Sequence, residues 1–382
     1  LREVRLEQML GTLVPVDRVT AILHDLGMEV EKTDAGWRVI PPPGRMDLAI
    51  EVDLVEEIAR VYGFEHIPAN RPGGDLRPAP IPEEILDQAR MRSRLADSGY
   101  REAVTYSCVD PNILRPFGWD QEVIALANPI SQDMNVMRPS LIPGLVLALR
   151  HNVQHQQQRV RLFELGATFD NQGQETQRVA AICYGSVVPE QWGTQARAVD
   201  FFDCKGDLED LLALTGEFGT DEFKPVDHSW LHPGQAAAVY RNGNCLGWIG
   251  ALHPNLVREL DLEGQVYAFE MDLQQLQQRK LPKYQAYSRY PSIRRDLSLL
   301  VPETVSAAQL QQTIISQGGA ELKEMLVFDV YDGPGVEQGY KSLAIGLILQ
   351  KDSSTLTDAD ADTFVTRLLD DLRAQLGVTL RG

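Results

Sequence analysis

Cysteine is scarce: the 382 residues hold four, Cys108, Cys183, Cys204 and Cys245, far apart and with no C-x-x-C pair. That excludes a disulfide-stapled secreted scaffold and a cysteine-ligated zinc module, and it reads as buried free thiols of a cytosolic protein. There is no run of about 18 apolar residues, so no helical membrane span is expected. The chain starts on Leu1, with neither a basic stretch nor an apolar stretch behind it that would mark a secretion signal, which suggests a trimmed start or a fragment. Positive charge is short as well, 36 Lys and Arg against 54 Asp and Glu for a net charge of −18. A general nucleic-acid coat needs clustered cations and is excluded, while a local RNA site is not. From Lys283 to the end, 10 cations face 13 anions, so that quarter is less acidic than its share of the total. Walker A and G-x-S-x-G motifs are also missing, which removes P-loop and serine-hydrolase chemistry.

What remains is an ordinary globular composition, 43% hydrophobic and 24% charged, long enough for two to four domains with ample core. Residues 1–70 predict a helix over Pro15–Leu26, with Val19, Ile22, Leu23 and Leu26 on one face and Gly27 as its stop. Short strands at Met28–Lys32 and Trp37–Ile40 flank the turn at Asp34-Ala35-Gly36. A second helix follows in the segment RMDLAIEVDLVEEIARVYGF. Two helices and a hairpin suggest a winged-helix-like module. On the second helix Asp53, Glu56, Glu57 and Arg60 share a face by their spacing, with Ile50, Leu54, Ile58 and Val61 opposite. Asp47, just before the helix, can fold back over the acidic face. Four converging carboxylates would suit a hard cation such as magnesium; the plainer alternative is a solvated face with Glu56 or Glu57 paired to Arg60.

Residues 71–282 open with a Pro- and Gly-rich linker read at Ile67–Pro82. A helix is expected over Glu83–Ser98 and a strand over Ala103–Ser107. Ser140 reads as an N-cap with Pro143 in the first turn, and Ile142, Leu145, Val146, Leu149 and Val153 form an apolar stripe. The strand Val160–Leu165, carrying Arg161 and Glu164, is expected to end at Gly166. A strand at Val179–Gly185, an amphipathic helix over Asp203–Leu214, a hairpin turning at Asn242-Gly243 and a strand over Val266–Met271 point to an antiparallel sheet with helices on one side. His151 and His155 stand one helical turn apart without the glutamate of an H-E-x-x-H zinc motif and read as a polar face. His232 and His253, each before a proline, read as structural.

Residues 283–382 predict the order βαββαβ, a ferredoxin-like domain: strands at Arg295–Val301, Glu324–Tyr331, Lys341–Gln350 and Val378–Leu380, helices at Ala307–Ile315 and Asp358–Leu376. One face of such a sheet is open, and RNA-binding sheets use that face for stacking aromatics. The fold class expected for the whole chain is therefore α+β.

Several segments together carry a resemblance. MRPSLIPGL followed by a helix and R-x-F-E-x-G (Arg161 to Gly166), D-x5-D-x2-E-E from Asp47 to Glu57, YPSIRRDLSLLV, FDVYDGPGVEQGYKSLAIGLILQ and the final TLRG resemble the bacterial phenylalanyl-tRNA synthetase beta subunit over nearly the whole chain, as a part lacking the amino-terminal tRNA-binding and editing domains. Gly44 and Met46 depart from the family, which has bulkier aromatics there. The resemblance implies Asp47, Asp53, Glu56 and Glu57 as magnesium ligands. It implies a class II synthetase-like central sheet that is a non-catalytic copy, consistent with the lack of any G-x-G-x-G-x-x-R segment; Arg161 and Glu164 only superficially offer the phosphate-holding arginine element. Catalysis would belong to a separate alpha subunit in a heterotetramer of two alpha and two beta chains, with the helix Leu141–Val153 as a candidate interface and burial of that helix within its own domain as the alternative. No catalytic residue is expected here. The last domain would bind the tRNA(Phe) anticodon: Asp329 accepting from a guanine edge, Tyr331 stacking, Ser342 donating, and Arg294, Arg295 and Lys341 meeting phosphates. The alternative for these strand residues is that Asp329 pairs with Arg295 and Tyr331 is half buried. The implied activity is a subunit's part in ATP-dependent phenylalanine–tRNA ligation in the cytoplasm. A stand-alone magnesium phosphohydrolase and a non-enzymatic RNA-binding protein are the other classes to weigh.

Overall fold

The structure, a computed structural model, describes residues 1–69, 71, 73, 82–119, 123–217, 219–284 and 286–381, so most of the linker read at Ile67–Pro82 lies outside the described residues. The chain forms two compact units, Leu1–Ile81 and Pro82–Gly382.

Among the described residues the first unit has three α-helices, not two: α1 (Glu3–Leu10), α2 (Val16–Asp25) and α3 (Glu51–Tyr62), with a hairpin of β1 (Glu29–Thr33) and β2 (Gly36–Ile40) between the last two. α1 gives little sequence signal because only Leu6 of its eight residues is buried. Leu6, Val19, Ile22, Leu23, Trp37, Val55 and Ile58 make the core. The buried residues of α3 are therefore Val55, Ile58 and Ala59 together with Glu57, which the sequence places on the solvated acidic face; Ile50, expected among the apolar positions, is 63% exposed.

In the second unit the chain runs through α4 (Gln88–Asp97), β3 (Arg101–Glu102), β4 (Cys108–Val109), α5 (Pro111–Leu114), β5 (Val136–Met137) and α6 (Ile142–Gln154). It continues with β6 (Arg159–Phe169), β7 (Glu175–Gly185), α7 (Phe201–Ala213), β8 (Asp221–Pro225), β9 (Leu231–Arg241), β10 (Asn244–Leu252), α8 (Pro254–Glu259), β11 (Val266–Asp272) and α9 (Leu273–Gln277). A seven-stranded sheet has the order β3-β6-β7-β11-β10-β9-β8. Every pairing is antiparallel except β3 with β6. Asn242 (φ 51°) and Gly243 (φ 81°) supply the two positive φ angles of a tight hairpin turn between β9 and β10.

Helices cover this sheet on both faces, which corrects the one-sided arrangement expected from sequence. Val179, Ala181 and Cys183 of β7 pack with α4, α7 and α9, while Ala180 and Ile182 pack with α6 and α8. Burial on both sides explains why the strand reads Val-Ala-Ala-Ile-Cys instead of alternating with polar residues. The segment 103–107 is not a strand; the pairing there is limited to β3 and to the short β4–β5 ladder. α4 begins five residues later than expected, at a cap in which Asp87 accepts from the Ala89 amide. Of the cysteines, Cys183 and Cys204 are buried as expected, but Cys245 is exposed and Cys108 is intermediate.

The last part is β12 (Ile293–Pro302), α10 (Ala307–Gly318), β13 (Leu322–Tyr331), β14 (Tyr340–Leu349), α11 (Asp358–Leu376) and β15 (Thr379–Leu380). Its sheet order, β13-β14-β12-β15, all antiparallel, is the ferredoxin-like arrangement. α11 spans the residues expected from sequence because both ends are written locally: a Thr357/Asp360 capping box and Gly377 in the left-handed region. Among the described residues no helix is long and apolar enough to cross a membrane.

The stripe on α6 is internal except at its last member, Val153, which is half-buried. Leu141, Ile142, Leu145, Val146 and Leu149 are all 0% exposed within their own domain, so that face is not available to a partner. Leu145→Ala is expected to cost about 2–5 kcal/mol through reduced burial and a residual cavity, read as a lowered urea midpoint; a change under about 0.5 kcal/mol would contradict the packing described.

Candidate functional sites: an acidic helix start, a buried charge network and an open sheet face

In the first unit the acidic residues are drawn toward arginines and backbone amides. The Arg45 guanidinium holds Asp47 (Nη2 to Oδ2, 2.7 Å) and Glu57 (Nη2 to Oε1, 2.9 Å), and Arg60 takes the other Glu57 oxygen. Arg45 is the main cause that holds both carboxyls below their ordinary range. Asp53 folds back over the helix start, its Oδ2 accepting from the Ala49 and Ile50 amides, and Glu56 is exposed. The alternative pairing of Glu57 with Arg60 is thus present. The donor chemistry, all carboxylate oxygen, is the kind a hard cation takes. Among the described residues, however, no three acidic, cysteine or histidine side chains are grouped to hold a metal ion, and the positive charge between Asp47 and Glu57 is Arg45. Nearby, Arg2 grips Glu51 and brings its pKa down to about 2.

The central sheet holds a second constellation. Arg138, 4% exposed, donates to Glu164 Oε1 (2.8 Å), to the Ala167 carbonyl (2.8 Å) and to the Thr105 hydroxyl (2.9 Å). Glu164 also accepts from the Thr105 hydroxyl (2.7 Å) and amide (3.2 Å). A Cβ on Gly166 would meet Arg138 Nη2 at 2.5 Å. Gly166 therefore does not end the strand, which runs on to Phe169; it clears the path of the guanidinium. Glu270, buried on β11, accepts from the Ser140 hydroxyl (2.9 Å) and the Leu141 amide (2.7 Å), and burial pushes its pKa up. The N-cap residue of α6 is Leu141, with Ser140 accepting from the Ile142 amide. Arg161 points to the other side of the sheet, bonded to Asp207 (2.6 Å) beside the Tyr100 ring, where burial raises the Asp207 pKa. Arg161 and Glu164 thus lie on opposite faces and cannot form one phosphate site.

The histidines take structural roles: His253 Nδ1 caps α8 and His232 Nδ1 accepts from the Gly234 amide. His155 bonds the His151 carbonyl, and the two rings lie tilted with centroids 4.2 Å apart.

On the last sheet, Leu343, Ile345, Leu347 and Leu349 face α10 and α11, so Ser342, Ala344 and Gly346 lie on the open side. Cross-strand partners share a face. Asp329, opposite Ala344, and Tyr331, opposite Ser342, are therefore on that open side. A register shift between Val327 and Asp329 frees Phe328, whose ring lies 5.5 Å from the Arg294 guanidinium. A second pair is Arg381 over the Tyr331 ring, at 5.1 Å. Between the pairs the floor is small: Gly346, Ala344, Ser342 and Ser298. A Cβ on Gly346 would meet the Asp296 and Arg294 side chains at 3.1–3.2 Å. Sequence reasoning does not single out Phe328 or Arg381, although the aromatics of F-D-V-Y are the available signal.

Two expected phosphate contacts are placed elsewhere. Arg295 faces the helices and binds Asp358 (2.6 Å) and Asp362 (3.2 Å) of α11. Lys341, opposite the core residue Val301, lies on that same side. Ser342 is only 4% exposed and its hydroxyl meets that of Ser298. The alternative pairing of Asp329 with Arg295 is absent, since Asp329 accepts from the Val330 amide.

Comparison with known proteins follows the same three divisions. The family model "Phenylalanyl tRNA synthetase beta chain CLM domain" matches residues 67–273, "tRNA synthetase B5 domain" matches 1–64, and "Ferredoxin-fold anticodon binding domain" matches 288–381. The phenylalanine–tRNA ligase beta subunit of Methylococcus capsulatus is 44% identical over 100% of this chain and 48% of its own length. The proteins of the same name from Xanthomonas campestris (44%) and Xylella fastidiosa (42%) also match over 100% of this chain and 49% of their own length. The chain spans about half the length of the curated relatives it matches.

Arg138→Ala is expected to destabilise the central domain by about 3–5 kcal/mol, because it leaves the Glu164 carboxylate buried without its counterion. Arg138→Met combined with Glu164→Gln should recover much of that stability. Equal denaturation midpoints for wild type and the single variant would overturn this structural role.

Proposed function

The chain belongs to the phenylalanyl-tRNA synthetase beta chain family, and from that premise we propose that it forms the anticodon-binding and assembly part of a phenylalanine–tRNA ligase. The ligase joins phenylalanine to tRNA(Phe) with ATP consumed to AMP and pyrophosphate, in the cytoplasm. The reacting groups sit on an alpha subunit, in an assembly of two alpha and two beta chains, and this chain alone is inactive. Neither a stand-alone phosphohydrolase nor an independent RNA-binding protein finds support in the family matches. We divide the chain into a winged-helix-like module (1–70), a class II synthetase-like sheet (71–282) and the anticodon domain (283–382). The seven-stranded, almost wholly antiparallel sheet supports the second of these. On its α6 side Arg138, Glu164 and Glu270 are engaged in holding the fold, as suits a non-catalytic copy.

The observation that carries the RNA reading is the open face of the last sheet. Aromatic rings at Phe328 and Tyr331, each beside an arginine, flank a row of small residues, Gly346, Ala344 and Ser342, over which a planar base can lie. Stacking on such rings is worth about 1–3 kcal/mol per base and arginines meet the backbone. Asp329 stands beside Tyr331 as an acceptor for the N–H edge of a guanine. Arg294→Ala with Tyr331→Ala is expected to weaken binding of a tRNA(Phe) transcript about tenfold or more, with the thermal midpoint unchanged; unchanged affinity would sink the reading. Light scattering of the chain mixed with a phenylalanyl-tRNA synthetase alpha subunit tests the assembly part independently.

The magnesium reading takes Asp47, Asp53, Glu56 and Glu57 as oxygen donors. A divalent cation there competes with Arg45, which already neutralises Asp47 and Glu57. Titration calorimetry with magnesium is expected to show binding at least about tenfold tighter in Arg45→Ala, since one positive charge leaves the site. No heat of binding in either protein would remove magnesium from this face.

A further inference from the structure

Between α9 and β12 lies a stretch whose charge contradicts the rest of the chain. From Leu273 to Arg295 there are six Lys and Arg and no Asp or Glu, in a protein of net charge −18. Residues 279–284 and 286–292 form neither helix nor strand. The segment is nevertheless tied down at both ends. The Arg279 and Lys280 amides donate to the Glu84 and Thr215 carbonyls. At the far end the Ser288 hydroxyl donates to the Lys351 carbonyl, and Gln350 donates to the Tyr290 carbonyl. Between these ties Tyr284 (87%) and Tyr287 (91%) are almost fully exposed. Lys283 and Arg289 are exposed with no ion pair among the described residues, while Lys280 pairs with Glu217 at 3.1 Å. Two tyrosines exposed together between unpaired cations make the aromatic-plus-cation combination on which nucleic-acid bases stack, and this points to a partner.

At the foot of the segment is a cavity of about 580 Å³ whose polar lining includes three cations, Arg241, Arg279 and Lys280, and one carboxylate, Glu217, which lies against Arg241 and Lys280. Arg241 is already held by Asp221 and Thr215. Arg279 is not satisfied in the same way: its Nε is buried without a hydrogen-bond partner.

We propose that residues 279–284 and 286–290, with the cavity at their foot, form a second RNA-binding strap, separate from the open sheet face. Its cations meet phosphates while Tyr284 and Tyr287 stack on unpaired bases or ribose faces. RNA fits better than an acidic protein because it offers regularly spaced anions and planar rings together, the combination that single-strand-binding surfaces use. The strap leads within four residues from Tyr290 to Arg294 of the sheet face, so one RNA strand can follow both. This inference rests on the tRNA reading above and extends it to a new surface.

The test measures tRNA(Phe) binding to the 382-residue chain by fluorescence anisotropy over a range of salt concentrations. Lys280, Lys283 and Arg289 changed together to Ala are expected to weaken binding about tenfold and to lower the salt slope by about two to three, roughly one for each phosphate left without its cation. Tyr284→Ala with Tyr287→Ala is expected to weaken binding about fivefold or more with the slope unchanged. In Arg294→Ala with Tyr331→Ala, the strap's share of the slope persists. If wild type binds and only the sheet-face variant weakens, the strap is overturned while the tRNA reading stands. If wild type does not bind tRNA, both fall. If the strap variants bind tRNA normally but no longer join the alpha subunit in light scattering, the surface serves a protein and the inference is overturned.

Discussion

Three buried charges organise the central domain. Arg138 and Glu164 are paired at 2.8 Å with side-chain exposures of 5% and 3%, and Glu270 holds the start of α6 from β11. Removing such groups from water is expensive, and a buried pair often gives little net stability over an apolar replacement. What it gives here is position. Arg138 and Ser140 lie in the few residues before α6, and each is claimed by a carboxylate on a different strand, β6 and β11. The helix can therefore enter the sheet at one place and angle only. Gly166 belongs to the same constraint, because any side chain there would strike the guanidinium. Two motifs that are 26 residues apart in sequence, the MRPS segment and the R-x-F-E-x-G strand, are thus one structural object.

This explains which parts of the fold are legible in the sequence. α11, the Asn242-Gly243 turn and the βαββαβ order depend on caps, turn residues and periodicities contained within about twenty residues, and reading those signals recovers them. The start of α6 is harder, because its amides are satisfied partly by Glu270, 129 residues away. Gly166 looks like a terminator because a glycine after a strand usually is one, and the reason for it lies on Arg138. The helices on the second face of the large sheet escape a sequence reading because a fully buried antiparallel strand such as β7 looks like any short apolar run.

The last sheet shows a sharper limit. Arg294 and Arg295 are neighbours in sequence, yet one lies over Phe328 on the open face and the other is fixed to Asp358 and Asp362 on the helical face. Strand periodicity of two forces this separation, and a shift of one residue would exchange them. Tyr331 and Asp329 share the open face only because the register shift at Phe328 is placed as it is. Residue type therefore suggests a nucleic-acid surface, but membership of that surface is set by register, which a single strand does not contain.

An acidic chain can bind RNA only where its cations are local and its anions are neutralised. At physiological salt the screening length is about 8 Å, so a phosphate at the open face responds chiefly to Arg294, Asp296 and their immediate neighbours and little to the net charge of the whole chain. Within that radius Arg294 is partly offset by Asp296, which lowers its pull on a phosphate while fixing its guanidinium beside the ring. The face is thus better built to orient a base than to hold a backbone. A site that selects but holds weakly needs a second, less selective contact tethered close to it, because tethering turns the second binding step into an intramolecular one. The cations between Arg279 and Arg289 are the nearest group along the chain with no acidic residue among them, and they lead directly into β12.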